Sequence, residues 1–214
     1  GYYDEDLNFV ELARTGPETT QVAVLKTENL TYGYSSALSK YTYGENLSGD
    51  TVVGCYHVLV ADGVSREEAE QLAGLFEDGF VAWIDGRYQV RAGAYQTEEE
   101  AEDALADISY AEDVVGTSSY GMSVVEAGTN CVLFQYDVGQ GGKLAVQPGQ
   151  RDGEETRTWF SGYHYRGGFQ YQRRSGGNLT VVNVVGLEDY VNGVICYEMG
   201  RNWPLVALEA QATC

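Results

Sequence analysis

A repeat constrains this chain more than any other feature. A strand, a turn and a helix occur twice at an offset of 32 residues, Tyr56 matching Tyr88 and Ser65 matching Thr97. In the first copy Tyr56-His57-Val58-Leu59-Val60 leads through Asp62-Gly63 to Ser65-Arg66-Glu67-Glu68-Ala69-Glu70-Gln71-Leu72. In the second, Tyr88-Gln89-Val90-Arg91-Ala92-Gly93 leads to Thr97-Glu98-Glu99-Glu100-Ala101-Glu102-Asp103-Ala104-Leu105. Alternating faces predict the strands. Ser65 with Glu68, and Thr97 with Glu100, have the spacing of a capping box, in which side chain and backbone at a helix start satisfy each other. Between the copies, Phe80-Val81-Ala82-Trp83-Ile84 reads as another strand and Asp85-Gly86 as a hairpin turn into Tyr88. The outcome is a β-α-β-β-α unit, a split βαβ arrangement with its helices on one face of the sheet. If Val58 and Val60 face those helices, His57 and Leu59 face the open side. By the same alternation Val90 points inward, and Gln89 and Arg91 point outward.

The chain's 214 residues, 43% of them apolar, are enough to bury a sizeable core and to form more than one module. Twenty-seven glycines, three prolines and seventeen tyrosines point to turns and short strands. With 32 acidic against 13 basic residues the net charge is −19. That balance argues against a nucleic-acid partner and against tight binding to anionic lipid. No apolar run is long enough for a membrane span, and no basic stretch precedes an apolar one as in a signal peptide. The start at Gly1-Tyr2-Tyr3-Asp4 reads as a chain trimmed after a signal peptide or anchor. Cys55, Cys131, Cys196 and Cys214 are widely spaced, with no Cys-x-x-Cys. They read as free buried thiols, a disulfide being open but not assignable. No metal ligand set or cofactor motif is expected, and the glycines at 139–142 do not precede a helix as a phosphate loop would.

Residues 1–51 contain a strand, Val22-Ala23-Val24-Leu25, and a Tyr/Ser/Gly-rich stretch at 32–49. Residues 117–185 read as an antiparallel meander with strands near 123–126, 131–136, 143–146, 157–160, 169–173 and 179–185, separated by glycine-rich turns. Tyr163, Tyr165 and Arg166 on a hairpin there read either as lining a sugar cleft or as packing residues.

In 186–212, Leu187, Tyr190, Val191, Val194 and Ile195 follow the spacing of an apolar helical stripe, and Glu198, four residues past Val194, continues it. A carboxylate on such a stripe is expected to be desolvated, which raises its pKa toward the range of a proton donor. The alternative is a solvated acid at a helix boundary. Glu188 and Asp189 fall in the first turn, where negative charge suits the helix dipole.

Leu187-Glu188-Asp189-Tyr190, Gly193-Val194, Glu198-Met199, Trp203-Pro204 and Ala207-Leu208-Glu209-Ala210-Gln211-Ala212 resemble the core motif of the SpoIID/LytB family. Leu179 to Val185 resembles the strand leading into it. The family includes a sporulation lytic transglycosylase and amidase enhancers, and its catalytic glutamate falls on Glu198. The resemblance therefore implies one carboxyl group that protonates the glycosidic oxygen and then takes the proton of the sugar's 6-hydroxyl, where ordinary glycosidases use two. Relatives run on beyond the Ala-Gln-Ala stretch, so the chain is expected to be an N-terminal fragment, inactive as it stands. Residues 52–116 are similar to SPOR domains, chiefly in Tyr88-Gln89-Val90-Arg91-Ala92-Gly93-Ala94-Tyr95 and in the Glu-Glu-Ala-Glu opening each helix. SPOR domains bind glycan strands stripped of stem peptides, which makes Gln89, Arg91 and Tyr95 the expected sugar-binding group.

The fold class expected is α+β, a SPOR-like ferredoxin-type βαββα unit joined to a β-rich SpoIID-like domain. The segments are 1–51, 52–116 and 117–214. Expected partners are peptidoglycan glycan strands and, in the alternative of a non-catalytic wall-binding protein, a cell-wall amidase. The expected location is extracytoplasmic.

Overall fold

Capping boxes and a tight hairpin turn set the local geometry of the chain's central part. In the computed structural model, which describes residues 1–19, 21–108, 110–111, 113–149, 157–199 and 202–213, both boxes form. Ser65 Oγ accepts from the Glu68 N–H and Thr97 Oγ1 from the Glu100 N–H, while each glutamate reaches back to its cap residue's N–H. Asp85 and Gly86 both take positive φ, 49° and 79°, as a two-residue turn matched to the twist of its strands requires.

The elements follow in order: β1 (Tyr2–Tyr3), β2 (Phe9–Val10), β3 (Val22–Lys26), β4 (Leu30–Ser35), β5 (Lys40–Gly44), β6 (Thr51–Val53), β7 (Tyr56–Val64), α1 (Arg66–Ala73), β8 (Gly79–Ile84), β9 (Arg87–Tyr95), α2 (Glu98–Asp107) and β10 (Asp113–Val115). Then come β11 (Met122–Glu126), β12 (Val132–Asp137), β13 (Leu144–Val146), β14 (Thr158–Phe160), β15 (Tyr163–Tyr165), β16 (Gly168–Arg173), β17 (Leu179–Val184), α3 (Leu187–Glu198) and α4 (Leu205–Thr213). The class is α+β, rich in strand. The chain divides into two units, Gly1–Leu144 with Tyr171–Thr180, and Ala145–Gln170 with Val181–Cys214.

The first unit is built on a seven-stranded sheet of order β10-β7-β9-β8-β12-β11-β3. The expected β-α-β-β-α succession is present as β7-α1-β8-β9-α2, and β10 extends it beside β7. Helix α1 packs on β8 and β9, and α2 on β7, β9 and β10. On the face carrying Phe80 and Ala82, a core of Leu25, Leu30, Val53, Phe80, Ala82, Val125 and Val132 joins this sheet to the small sheet β5-β4-β6. The face expected to be open is therefore covered in part.

The meander reading is corrected. β12 pairs with β8 in parallel, β11 bridges β12 and β3, and the later strands belong to smaller sheets, β13-β16-β17 and β14-β15. Glycine-rich turns between strands mark where the chain reverses, but not which strand it returns to. The thiol reading is also corrected in part: Cys55 is half-buried and free, and Cys131 is free but exposed. Cys214 and the side chain of Cys196 lie outside the described residues. Among the described residues no helix is long and apolar enough to cross a membrane.

In the second unit, β14 and β15 form a hairpin whose aromatic residues Phe160 and Tyr165 pack on Phe169, at centroid distances of 4.9 and 5.3 Å. Asn183 donates its amide to the carbonyls of Arg166 and Gly168 at 3.0 and 2.9 Å. Gly167, at φ 75°, lies so close to Val184 that a Cβ would sit 2.1 Å from its carbonyl oxygen, so only glycine fits the turn entering β16. Arg166 pairs with Asp189, tying that turn to the first turn of α3.

Candidate functional site

Two groups of residues were singled out by sequence, one on the large sheet and one at the end of α3. On the sheet, alternation places Gln89 and Arg91 on the face opposite Val90, as expected, but that face is not open. Arg91 is 2% exposed, Gln89 8% and His57 fully buried. The expectation of a solvent-facing sugar-binding group is therefore corrected for Gln89 and Arg91.

The physical reason is a closed polar network. The Arg91 guanidinium donates from Nε and Nη2 to Gln89 Oε1, at 3.0 and 2.6 Å. From Nη1 it donates to the Gly116 carbonyl at 2.9 Å and to Gln135 Oε1. Because Arg91 has only donors, Gln135 must turn its oxygen toward it, leaving Gln135 Nε2 to face His57 Nε2 at 2.9 Å and Ser123 Oγ at 3.1 Å. On the other side of the ring His57 Nδ1 lies 2.7 Å from the Gly93 carbonyl, which can only accept. Nδ1 therefore carries the proton, Nε2 accepts from Gln135, and the imidazole is neutral. Burial pushes its pKa down to about 4, with the Arg91 charge acting the same way against the Gly93 hydrogen bond.

Gly93 makes this geometry. At φ 71° it forms a bulge in β9 opposite His57, aiming its carbonyl at the ring. The segment after β10 completes the cover: Asp137 accepts from the Ser118 N–H at 2.6 Å and from its hydroxyl at 3.0 Å. No buried side-chain nitrogen or oxygen among the described residues lacks a partner. Gln135 and Ser123 were not singled out by sequence, because polar residues inside an apolar strand carry no local signal of what they meet. Tyr95, at the end of β9, is half-buried, with its ring against Gly93.

The second group is the helical pair α3–α4. Gly186 begins α3 without a side-chain cap, and Glu188 and Asp189 occupy its first turn. Glu198 is its last residue and accepts a hydrogen bond from Gln211 Nε2 of α4 at 2.7 Å. Glu198 is exposed. The expected desolvated position on an apolar stripe is corrected: Leu187 and Tyr190 at the head of that stripe are 75% and 57% exposed, while Val191, Val194 and Ile195 are half-buried. Helical spacing put these residues on one side, but only its middle is partly covered, and its head and Glu198 stay open to water. Tyr163 is exposed on β15, and Tyr165 is half-buried against Phe169, so the hairpin aromatics divide between solvent and packing. Gln89, Arg91 and Tyr95 belong to the first unit, and Glu198 to the second. No cluster of three or more His, Cys, Asp or Glu side chains able to hold a metal occurs among the described residues.

Comparison with known proteins picks out the segment around Glu198. The SpoIID family model, described as stage II sporulation protein, matches residues 175–214. An uncharacterized protein of Brachyspira hyodysenteriae is 53% identical over 34 residues, a stretch that spans 16% of this chain and 9% of that protein's length. No solved structure matches the chain. The strand β17, the helix α3 with Glu198, and α4 are thus the elements over which the chain is similar to the SpoIID family.

Proposed function

We propose that the protein acts outside the cytoplasm on the cell wall, as a lytic transglycosylase on peptidoglycan glycan strands, with Glu198 as the single acid/base. The observation that carries this reading is the SpoIID match over 175–214, a stretch that contains Glu198. Glu198 would protonate the glycosidic oxygen as positive charge develops on the sugar, then accept the proton of the 6-hydroxyl as that oxygen closes a 1,6-anhydro ring. As placed here Glu198 is open to water. Proton donation near neutrality needs a wall that excludes water from it. The exposed Leu187 and Tyr190 offer an apolar seat for such a wall. The test is digestion of purified glycan by the full-length protein and by Glu198→Gln. Release of anhydro-muramyl ends by the parent and not by the variant is expected, and equal release by both refutes the assignment.

A second reading has an observation of its own. The hydrogen bond from half-buried Gln211 to exposed Glu198 suits a residue that shapes a binding surface without exchanging protons. On that reading the protein grips wall polysaccharide, or assists a wall amidase, without cleaving bonds. Sedimentation with sacculi that is unchanged by Glu198→Gln, with no released ends, distinguishes it.

A further inference from the structure

The hairpin of β4 and β5 carries tyrosine at alternate positions of one face. Tyr32 and Tyr34 on β4 stand directly opposite Tyr43 and Tyr41 on β5. The four rings form a continuous ladder, with centroids 5.0 Å apart for Tyr32–Tyr43, 5.8 Å for Tyr32–Tyr41 and 5.5 Å for Tyr34–Tyr41. Its root is fixed. The Tyr43 hydroxyl accepts from the Gly128 N–H at 2.8 Å and donates to the Thr129 carbonyl at 2.7 Å, and its ring packs on the core that contains Leu30. Its tip is bare: Tyr34 is 54% exposed and Tyr41 65%.

Two exposed rings held on a rigid base are unusual for a purely structural hairpin, because the same residues that stabilise its root leave apolar faces in water at its end. Tyrosine is suited to recognition here. It has few rotatable bonds to immobilise, an apolar face for stacking and a hydroxyl for hydrogen bonding. The 71° angle between the Tyr34 and Tyr41 rings makes a corner with one face and one edge, open to a flat ring entering from solvent. The chain's net charge of −19 repels densely anionic polymers that also stack on aromatics, nucleic acids above all, but not a neutral or sparsely charged polysaccharide.

We infer that Tyr34 and Tyr41 form a stacking platform for an N-acetylhexosamine glycan strand, remote in sequence from the SpoIID segment. This rests on the wall-acting reading above. It assigns glycan binding to the β4–β5 tip in place of the buried Gln89 and Arg91.

The test is calorimetric titration of this chain with chitohexaose and with amidase-stripped glycan strands. Tyr34→Ala/Tyr41→Ala should weaken binding roughly tenfold or more, as loss of stacking contacts does elsewhere. Tyr34→Phe/Tyr41→Phe, which keeps the ring faces, should bind close to the parent. Unchanged urea midpoints for both variants establish that the fold is intact. The platform is overturned if the alanine variant binds like the parent, if the phenylalanine variant loses as much as the alanine one, or if neither probe binds the parent chain. Cleavage is not read in this titration. Ladder-dependent binding without any activity would sink only the transglycosylase reading, and cleavage by a chain indifferent to both tyrosines would sink only the platform.

Discussion

Acid should destabilise this fold through His57 before most carboxylates begin to protonate. Folded, the imidazole is held neutral with a pKa of about 4, against 6.5 for the free side chain. The sign follows from the direction of that shift. A base whose folded pKa is depressed contributes its full stability above 6.5, and loses it as pH falls through the folded value. The structural origin is specific. Protonation would place an N–H on Nε2 against the Gln135 amide N–H₂ at 2.9 Å, donor against donor, and add a charge beside buried Arg91. At about 1.4 kcal/mol per pH unit the whole shift corresponds to about 3 kcal/mol, of which about 2–3 kcal/mol is lost by pH ~4.5. The assay is urea unfolding at a series of pH values for the parent and for His57→Gln, which does not titrate. The difference between the two proteins is the quantity that isolates His57 from the other groups that titrate in this range. Glu11, held down to about 2 by hydrogen bonds from Arg14 and Arg66, gives up its contribution only at lower pH. The parent's advantage over the variant should therefore shrink by about 2–3 kcal/mol between neutrality and pH ~4.5. Parallel curves over that range would refute the neutral, doubly hydrogen-bonded ring.

Gly93→Ala should cost about 1–2 kcal/mol in urea unfolding from the left-handed backbone alone, and should displace Tyr95, whose ring lies 2.3 Å from the new Cβ position. A Cm equal to the parent's would show that the bulge relaxes freely. Thr97→Ala removes the acceptor for the Glu100 N–H and should cost about 1 kcal/mol. The loss should be read as faster amide exchange over the first turn of α2, and unchanged exchange there would contradict the cap's role.

The parts of this molecule decided by neighbouring residues were legible without coordinates. Ser65-x-x-Glu68 and Thr97-x-x-Glu100 specify helix starts because donor and acceptor are three residues apart. Asp85-Gly86 specifies a hairpin because few other residue pairs tolerate two positive φ angles in succession. The SpoIID segment was legible for the same reason, its motif being contiguous from Leu187 to Ala212. The alternation of β9 correctly put Gln89 and Arg91 on the side away from Val90.

What covers that side was settled only in three dimensions. The partners that bury Arg91 and His57 meet across 44 and 78 residues of chain, through Gln135 on a strand that enters the sheet parallel to β8. No local pattern encodes such a pairing, since alternation says which residues share a face and not whether a second layer lies over it. Glu198 makes the same point in reverse. Helical spacing aligned it with an apolar stripe, but desolvation requires a neighbour on the far side, and the described structure leaves the stripe's leading residues in water. Sequence thus determined the β-α-β-β-α unit with its two helix starts, its hairpin turn and the likeness of the last segment to the SpoIID family, and tertiary contacts alone decided which faces were sealed and which stayed open to water.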